Sequence, residues 1–173
     1  MSSNKLFIDS NKFMIYSTQL AQKILQSDYK PDAIIGVSRG GSFPSIIIHE
    51  FLNYNNIDCE YFVISAKSYT DIEINGSIYI DISTNTMLSL KNKNNILIID
   101  DVFDTGKTLM SIINKLTNQY NIHSNKLKIA TVFYKPDKNK TTIYPSYWVE
   151  KTDKWIVFPH ELVGLTDEEI KMK

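Results

Sequence analysis

Four short, unbroken apolar runs constrain this chain more than any other feature: Ala33–Val37, Tyr61–Ile64, Ile96–Ile99 and Ile129–Tyr134. Each has the length of a strand and is rich in β-branched or aromatic residues. A strand with one wet face alternates polar and apolar side chains, whereas continuous apolarity means that both faces are covered, as in a parallel sheet between helices. The intervening segments repeat at helical spacing. Phe13, Tyr16, Leu20 and Ile24 form one stripe, and Leu109, Ile112, Ile113, Leu116 and Tyr120 form another, with Thr105 as its predicted cap. Ser42, with Pro44 in the first turn, predicts the start of a helix carrying Ile47, Ile48 and Phe51. Strand–helix alternation over 173 residues predicts one α/β domain with a doubly wound, mostly parallel sheet, in which ligands sit at the carboxyl ends of the strands.

The alternation breaks between Ser65 and Lys93, where Ala66–Asp71 and Gly76–Ser77 predict a long hairpin or mobile loop over about residues 66–90. Lys135–Lys140 reads as a charged turn, and Trp148 and Trp155–Phe158 as further strand material. The expected division is a core over about 30–135 and a small hood assembled from 1–30 and 136–165. Nineteen basic and nineteen acidic residues give zero net charge, which argues against nucleic acid or an anionic membrane as partner. A lone cysteine, Cys59, forms no internal disulfide and reads as a small buried apolar group. No run reaches membrane-spanning length and the N-terminal stretch has no signal-peptide core, so a cytoplasmic protein is expected.

One segment carries most of the chemistry. The strand at Ile96–Ile99 runs into Asp100 and Asp101, then Asp104, and then Thr105-Gly106-Lys107-Thr108 at the start of a helix. Free amides and the dipole of a helix N-terminus favour an anion, hydroxyls add donors, and Gly106 permits close backbone approach. Carboxylates repel a phosphate unless they serve neighbouring hydroxyls or a divalent cation. The implied ligand combines a phosphate, a polyol such as ribose, and Mg²⁺. A Walker A loop is excluded because its first glycine falls on Asp101. A merely capped helix leaves three adjacent acids without a partner, which is costly. A second turn, Ser38-Arg39-Gly40-Gly41, also follows a predicted core strand and holds the only arginine in the chain, a fork suited to a polyanion. His49 on an apolar helix reads as structural and His123 as exposed. His160–Glu161 is a weak metal signal, and Thr166–Glu169 reads as a capped terminal turn.

Together these segments resemble type I phosphoribosyltransferases. Ile98–Thr108 is similar to the phosphoribosyl-pyrophosphate signature, Ser38–Gly41 to the pyrophosphate loop, and Lys135-Pro136 with Trp155–Glu161 to the branch acting on hypoxanthine, guanine and xanthine. The resemblance implies that Asp100 and Asp101 hold the ribose hydroxyls and, with Glu161, Mg²⁺. It implies Asp104 as general base, and Asp104, Thr105, Gly106, Lys107 and Thr108 as the 5′-phosphate loop. Ser38, Arg39, Gly40 and Gly41 would bind pyrophosphate after a cis peptide, with Ser68 and Tyr69 closing over it. Lys135 would meet the purine 6-oxygen, Trp155 would stack on the base, and the Ile156 backbone would read its edge. His160 departs from the aromatic residue that the pattern has before its acid. Relatives of this kind use phosphoribosyl pyrophosphate and a purine base and associate as dimers or tetramers. Two alternatives stand beside this reading: a transferase for adenine or a pyrimidine, and a non-catalytic regulator that senses phosphoribosyl pyrophosphate.

Overall fold

The computed structural model describes residues 5–68 and 78–171. Six strands form one sheet in the order β4-β3-β2-β5-β6-β7: β2 (Ala33–Ser38), β3 (Glu60–Ser68), β4 (Ile78–Asp81), β5 (Ile96–Phe103), β6 (Leu127–Tyr134) and β7 (Tyr147–Lys151). All pairings are parallel except β3–β4, where Ser65 faces Asp81 and Ser68 faces Ile78. All four predicted runs lie within core strands. Their unbroken apolarity has the expected cause: Ile34, Leu97, Ile99, Ala130 and Val132 fill one core, while Ala33, Ile35, Ile96, Ile98 and Ile129 fill another.

Helices α1 (Ser10–Leu25) and α2 (Ser42–Tyr54) cover the first face, with Phe13, Leu20, Ile24, Ile48 and Leu52 pointing inward. Helices α3 (Thr84–Lys91) and α4 (Lys107–Asn114) cover the other through Met87, Leu90, Leu109 and Ile112. Asp9 caps α1 by accepting from the Lys12 amide at 2.8 Å. A separate parallel pair, β1 (Lys5–Phe7) with β8 (Trp155–Val157), makes the hood sheet.

Several expectations change. The stretch predicted as a loop over 66–90 contains the end of β3, all of β4 and most of α3 among its described residues; Tyr69 falls outside them. Helix α1 packs on α2, and β7 extends the sheet beside β6. The cap of α2 is Gly41 rather than Ser42, and that of α4 is Gly106 rather than Thr105. The stripe at Leu109–Tyr120 is not one regular helix but α4 continued by a π-helical turn over Lys115–Gln119. No helix among the described residues is long and apolar enough to cross a membrane.

Candidate active site

The sheet order places the site. Strand β2 pairs with β3 on one side and β5 on the other, so the chain reverses its winding direction between β2 and β5. In such sheets the crevice outside the carboxyl ends at this point is where ligands bind. The turns at 39–41 and 104–106 both open there. Their approach is very close: a Cβ added to Gly40 would lie 2.1 Å from Asp101 Oδ2. Only glycine fits. The Ser38–Arg39 peptide is cis, as the family resemblance implies.

Asp100 and Asp101 meet at the end of β5. The Asp101 amide donates to Asp100 Oδ1 at 3.0 Å. Burial, followed by the adjacent Asp101 charge, pushes the Asp100 carboxyl well above the usual range. Burial also raises Asp101 to about 7, with the nearby Glu161 charge adding to the shift. His160 Nε2 lies 3.9 Å from Asp101 Oδ2. Crowded, partly dehydrated carboxylate oxygens suit a hard divalent cation. Mg²⁺ in particular is held by one or two carboxylates, with water and substrate phosphate completing its shell. Among the described residues no three acidic, histidine or cysteine side chains gather into one ligating group. Glu161 uses Oε2 to accept from the Phe158 amide at 3.1 Å, which fixes it near the pair.

The turn after β5 is a small hollow of about 180 Å³ lined by residues from Asp100 to Leu109, Thr105, Gly106 and Thr108 among them. Gly106 sits at φ 77°, and a side chain there would strike Phe103 and Thr141. Helix α4 begins at Lys107, whose amide donates to Thr105 Oγ1 at 3.5 Å, so the start of the helix, with its dipole, borders this hollow. Lys107 itself is exposed and is not part of the lining. The turn is braced by a segment that the sequence marks only as charged. The Lys140 amide donates to the Thr105 carbonyl at 3.0 Å, and Asn139 Oδ1 accepts from the Thr141 amide and hydroxyl at 2.9 and 2.8 Å. Asn139 two residues before Thr141 was the available signal, since asparagine closes such turns through its own side chain.

Lys135 is not the solvated lysine that its position at a strand end suggests. It is 3% exposed, its amide donates to the Phe103 carbonyl at 2.9 Å, and its Nζ donates to Asp104 Oδ2 at 2.8 Å. Trp155 leaves 59% of its surface open, with Lys135 Nζ 6.0 Å from the ring centroid. Ile156 is buried and pairs with Leu6 in the hood. A cavity of about 390 Å³ links Arg39, Trp155, His160 and Glu161. A hollow of about 570 Å³ is lined by Phe13, Arg39, Phe43, Ile46 and His160. His49, whose Nε2 lies 2.9 Å from the Cys59 carbonyl oxygen, belongs to the scaffold, as expected. Ser68 closes β3 and Tyr69 lies outside the described residues, so the structure does not place that pair at the site.

The site therefore presents a donor-lined anion hollow, an acid pair, an arginine turn, and a lysine–carboxylate pair beside an open indole. A sugar carrying phosphates and a flat heterocycle with adjacent acceptor and N–H groups would match each part. Comparison with known proteins places the whole chain. A family model described as the phosphoribosyl transferase domain matches residues 7–163. The xanthine-guanine phosphoribosyltransferase of Idiomarina loihiensis is 26% identical over 163 residues, spanning 93% of this chain and 89% of that protein. The hypoxanthine-guanine phosphoribosyltransferase of Schizosaccharomyces pombe is 25% identical over 197 residues, spanning 98% and 95%. The crystal structure of a purine phosphoribosyltransferase from Pyrococcus horikoshii is similar with a TM-score of 0.74 at 33% identity, covering 95% of this chain and 98% of that one.

Proposed function

The chain belongs to the phosphoribosyl transferase family, and on that premise we propose that it transfers ribose 5-phosphate from phosphoribosyl pyrophosphate to hypoxanthine, guanine or xanthine, releasing pyrophosphate. The observation that carries the choice of a 6-oxopurine is the Lys135–Asp104 pair at 2.8 Å beside Trp155. A 6-oxopurine sets an oxygen next to an imidazole nitrogen on one edge of the ring, and a lysine is a natural donor to that edge. An amino group at the same place would meet the Lys135 ammonium as donor against donor.

The 5′-phosphate sits in the turn at Asp104, Thr105, Gly106, Lys107 and Thr108, where the α4 amides and two hydroxyls neutralise it. Asp100 and Asp101 grip the ribose hydroxyls. Ser38, Arg39, Gly40 and Gly41 cradle the leaving pyrophosphate, with Ser68 and Tyr69 closing over it to exclude water. Asp100, Asp101 and Glu161 would hold Mg²⁺, which supplies charge neutralisation for the departing group. The base nitrogen forms a bond to C1′ as the bond from C1′ to the pyrophosphate oxygen breaks. Asp104 takes the proton from the other imidazole nitrogen. Lys135 moves from pairing with Asp104 alone to sharing its donors with the 6-oxygen. Stabilising the developing charge supplies most of the rate, and proton transfer adds roughly 10²–10⁴-fold. The protein acts in the cytoplasm as a homodimer or homotetramer, which the molar mass in solution measures.

The test is a spectrophotometric panel in which each purine and pyrimidine base is supplied with phosphoribosyl pyrophosphate and Mg²⁺. Turnover confined to 6-oxopurines is the expected result. Turnover of adenine or pyrimidines alone would overturn the substrate assignment, and no turnover with stoichiometric binding of phosphoribosyl pyrophosphate would favour a sensor.

A further inference from the structure

The C-terminal segment is held in a way that the transfer reaction, as described so far, does not use. Helix α5 (Asp167–Lys171) has five residues and buries none of them. A helix that short has no stability of its own, and none of its residues is buried in the core. What holds it is a single carboxylate. Glu169 Oε2 accepts from the Thr166 amide at 3.0 Å while Thr166 Oγ1 accepts from the Glu169 amide at 3.3 Å, which closes a capping box. The other oxygen, Oε1, pairs with Lys5 Nζ, 164 residues away in the sequence.

The location of Lys5 gives this pairing a consequence. Lys5 is the register partner of Trp155 in the hood sheet, so the pair fastens the chain terminus beside the indole that faces the base. Leu162, Val163, Gly164 and Leu165 line the same cavity as Trp155 and Arg39. The segment turns at Gly164, φ 86°, with the Leu165 amide on the Leu162 carbonyl at 3.3 Å. Leu162 is 54% exposed and Val163 99%. Apolar side chains held at a cavity mouth, without packing of their own, gain burial when a flat apolar ligand enters.

Resting on the base-binding reading above, we propose that residues 162–171 form a strap completing the wall of the base pocket, latched by Lys5–Glu169, so that Lys5 and Glu169 are positioning residues for the base. Lys5→Ala removes the latch and leaves the capping box intact; Lys5→Arg keeps both. A partly exposed ion pair of this kind is worth a factor of about two to five in binding. Lys5→Ala is therefore expected to raise KM for the base about two- to fivefold and to quicken hydrogen exchange at 162–171. KM for phosphoribosyl pyrophosphate should not move, and Lys5→Arg should behave as wild type. Truncation after Leu165 should give the same base KM as Lys5→Ala, and adding Lys5→Ala to it should change nothing further. Equal rises in both KM values would mean a damaged fold and overturn the proposal, as would an unaltered base KM. If no base is turned over, the enzymatic reading fails separately. Exchange at 162–171 then decides the latch: unchanged exchange in Lys5→Ala overturns it, and faster exchange together with a loss of Trp155 fluorescence quenching by added guanine, read in a Trp148→Phe background, supports it.

Discussion

Gly40→Ala is the substitution whose effect follows most directly from the geometry. The new methyl would lie 2.1 Å from Asp101 Oδ2, 2.4 Å from its Cγ and 2.8 Å from Oδ1, whereas ordinary contact begins at 3.4 Å. Turn and carboxylate must separate by roughly 1.3 Å to relieve the closest clash. The obstacle is the end of a side chain, so the fold can yield, at about 1–3 kcal/mol. For a domain of this size that is a fall in Tm of roughly 2–10 °C. Activity should suffer more, because a misplacement of about 1 Å in a binding constellation costs on the order of 10²-fold. The expected result is a protein that folds, with kcat/KM for phosphoribosyl pyrophosphate down about a hundredfold. Gly41→Ala is the control. Its methyl would meet backbone, the Ile99 carbonyl oxygen at 2.4 Å and the Asp100 Cα at 2.8 Å, which cannot step aside. It should lose far more stability than Gly40→Ala. Differential scanning calorimetry and steady-state kinetics on both variants measure this contrast. Wild-type kcat/KM in Gly40→Ala would refute the close approach of the arginine turn to the acid pair.

Asp101, raised to about 7 by burial, favours its protonated form in the folded protein. Its contribution to stability is therefore full below the ordinary carboxylate pKa and is lost as pH rises toward 7. Without metal, Tm should fall between about pH 4 and 7, Asp101→Asn should flatten that fall, and a wild-type curve that rises instead would contradict the shift. Lys135→Ala strands a carboxylate that is only partly buried, at about 1–2 kcal/mol by thermal denaturation. It should also raise KM for hypoxanthine at least tenfold while leaving the phosphoribosyl pyrophosphate KM within a factor of two; an equal rise in both would make Lys135 a scaffold residue. Thr131 is fully buried in β6 with no partner for its hydroxyl among the described residues, so Thr131→Val should stabilise the protein by about 1 kcal/mol, and a fall in Tm would reveal a partner for that oxygen.

What the sequence revealed and what it withheld divide by range. Runs such as Ile96–Ile99 are strands because neighbouring residues share a need for burial, and that need is local. The Asp104–Thr108 turn was equally legible, since a strand, a glycine at positive φ and a helix start are contiguous. Contacts made across the fold were not. Lys135 is singled out by the family resemblance, but its pairing with Asp104 emerges only when β6 lies beside β5. The segment Lys135–Lys140 reads as a charged turn, and its bracing of the turn after β5 through the Lys140 amide and the Thr105 carbonyl is not visible in it. Lys5 and Glu169 lie at opposite ends of the chain, and nothing in either neighbourhood announces the other. Near the helix starts the misses were small: Gly41 and Gly106, rather than their hydroxyl-bearing neighbours, take the cap positions because close contacts exclude a side chain at both.

The central claim is that a phosphate monoester anchors in the hollow between Asp104 and Thr108 while Asp100 and Asp101 hold its sugar. A crystal structure with guanosine or inosine monophosphate tests it most directly. The phosphate oxygens should accept from the amides of the α4 first turn, the ribose hydroxyls should face the acid pair, and the base should lie between Lys135 and Trp155. A nucleotide bound with its phosphate outside that hollow, for instance against Arg39 and Phe43 in the larger apolar cavity, would contradict the account.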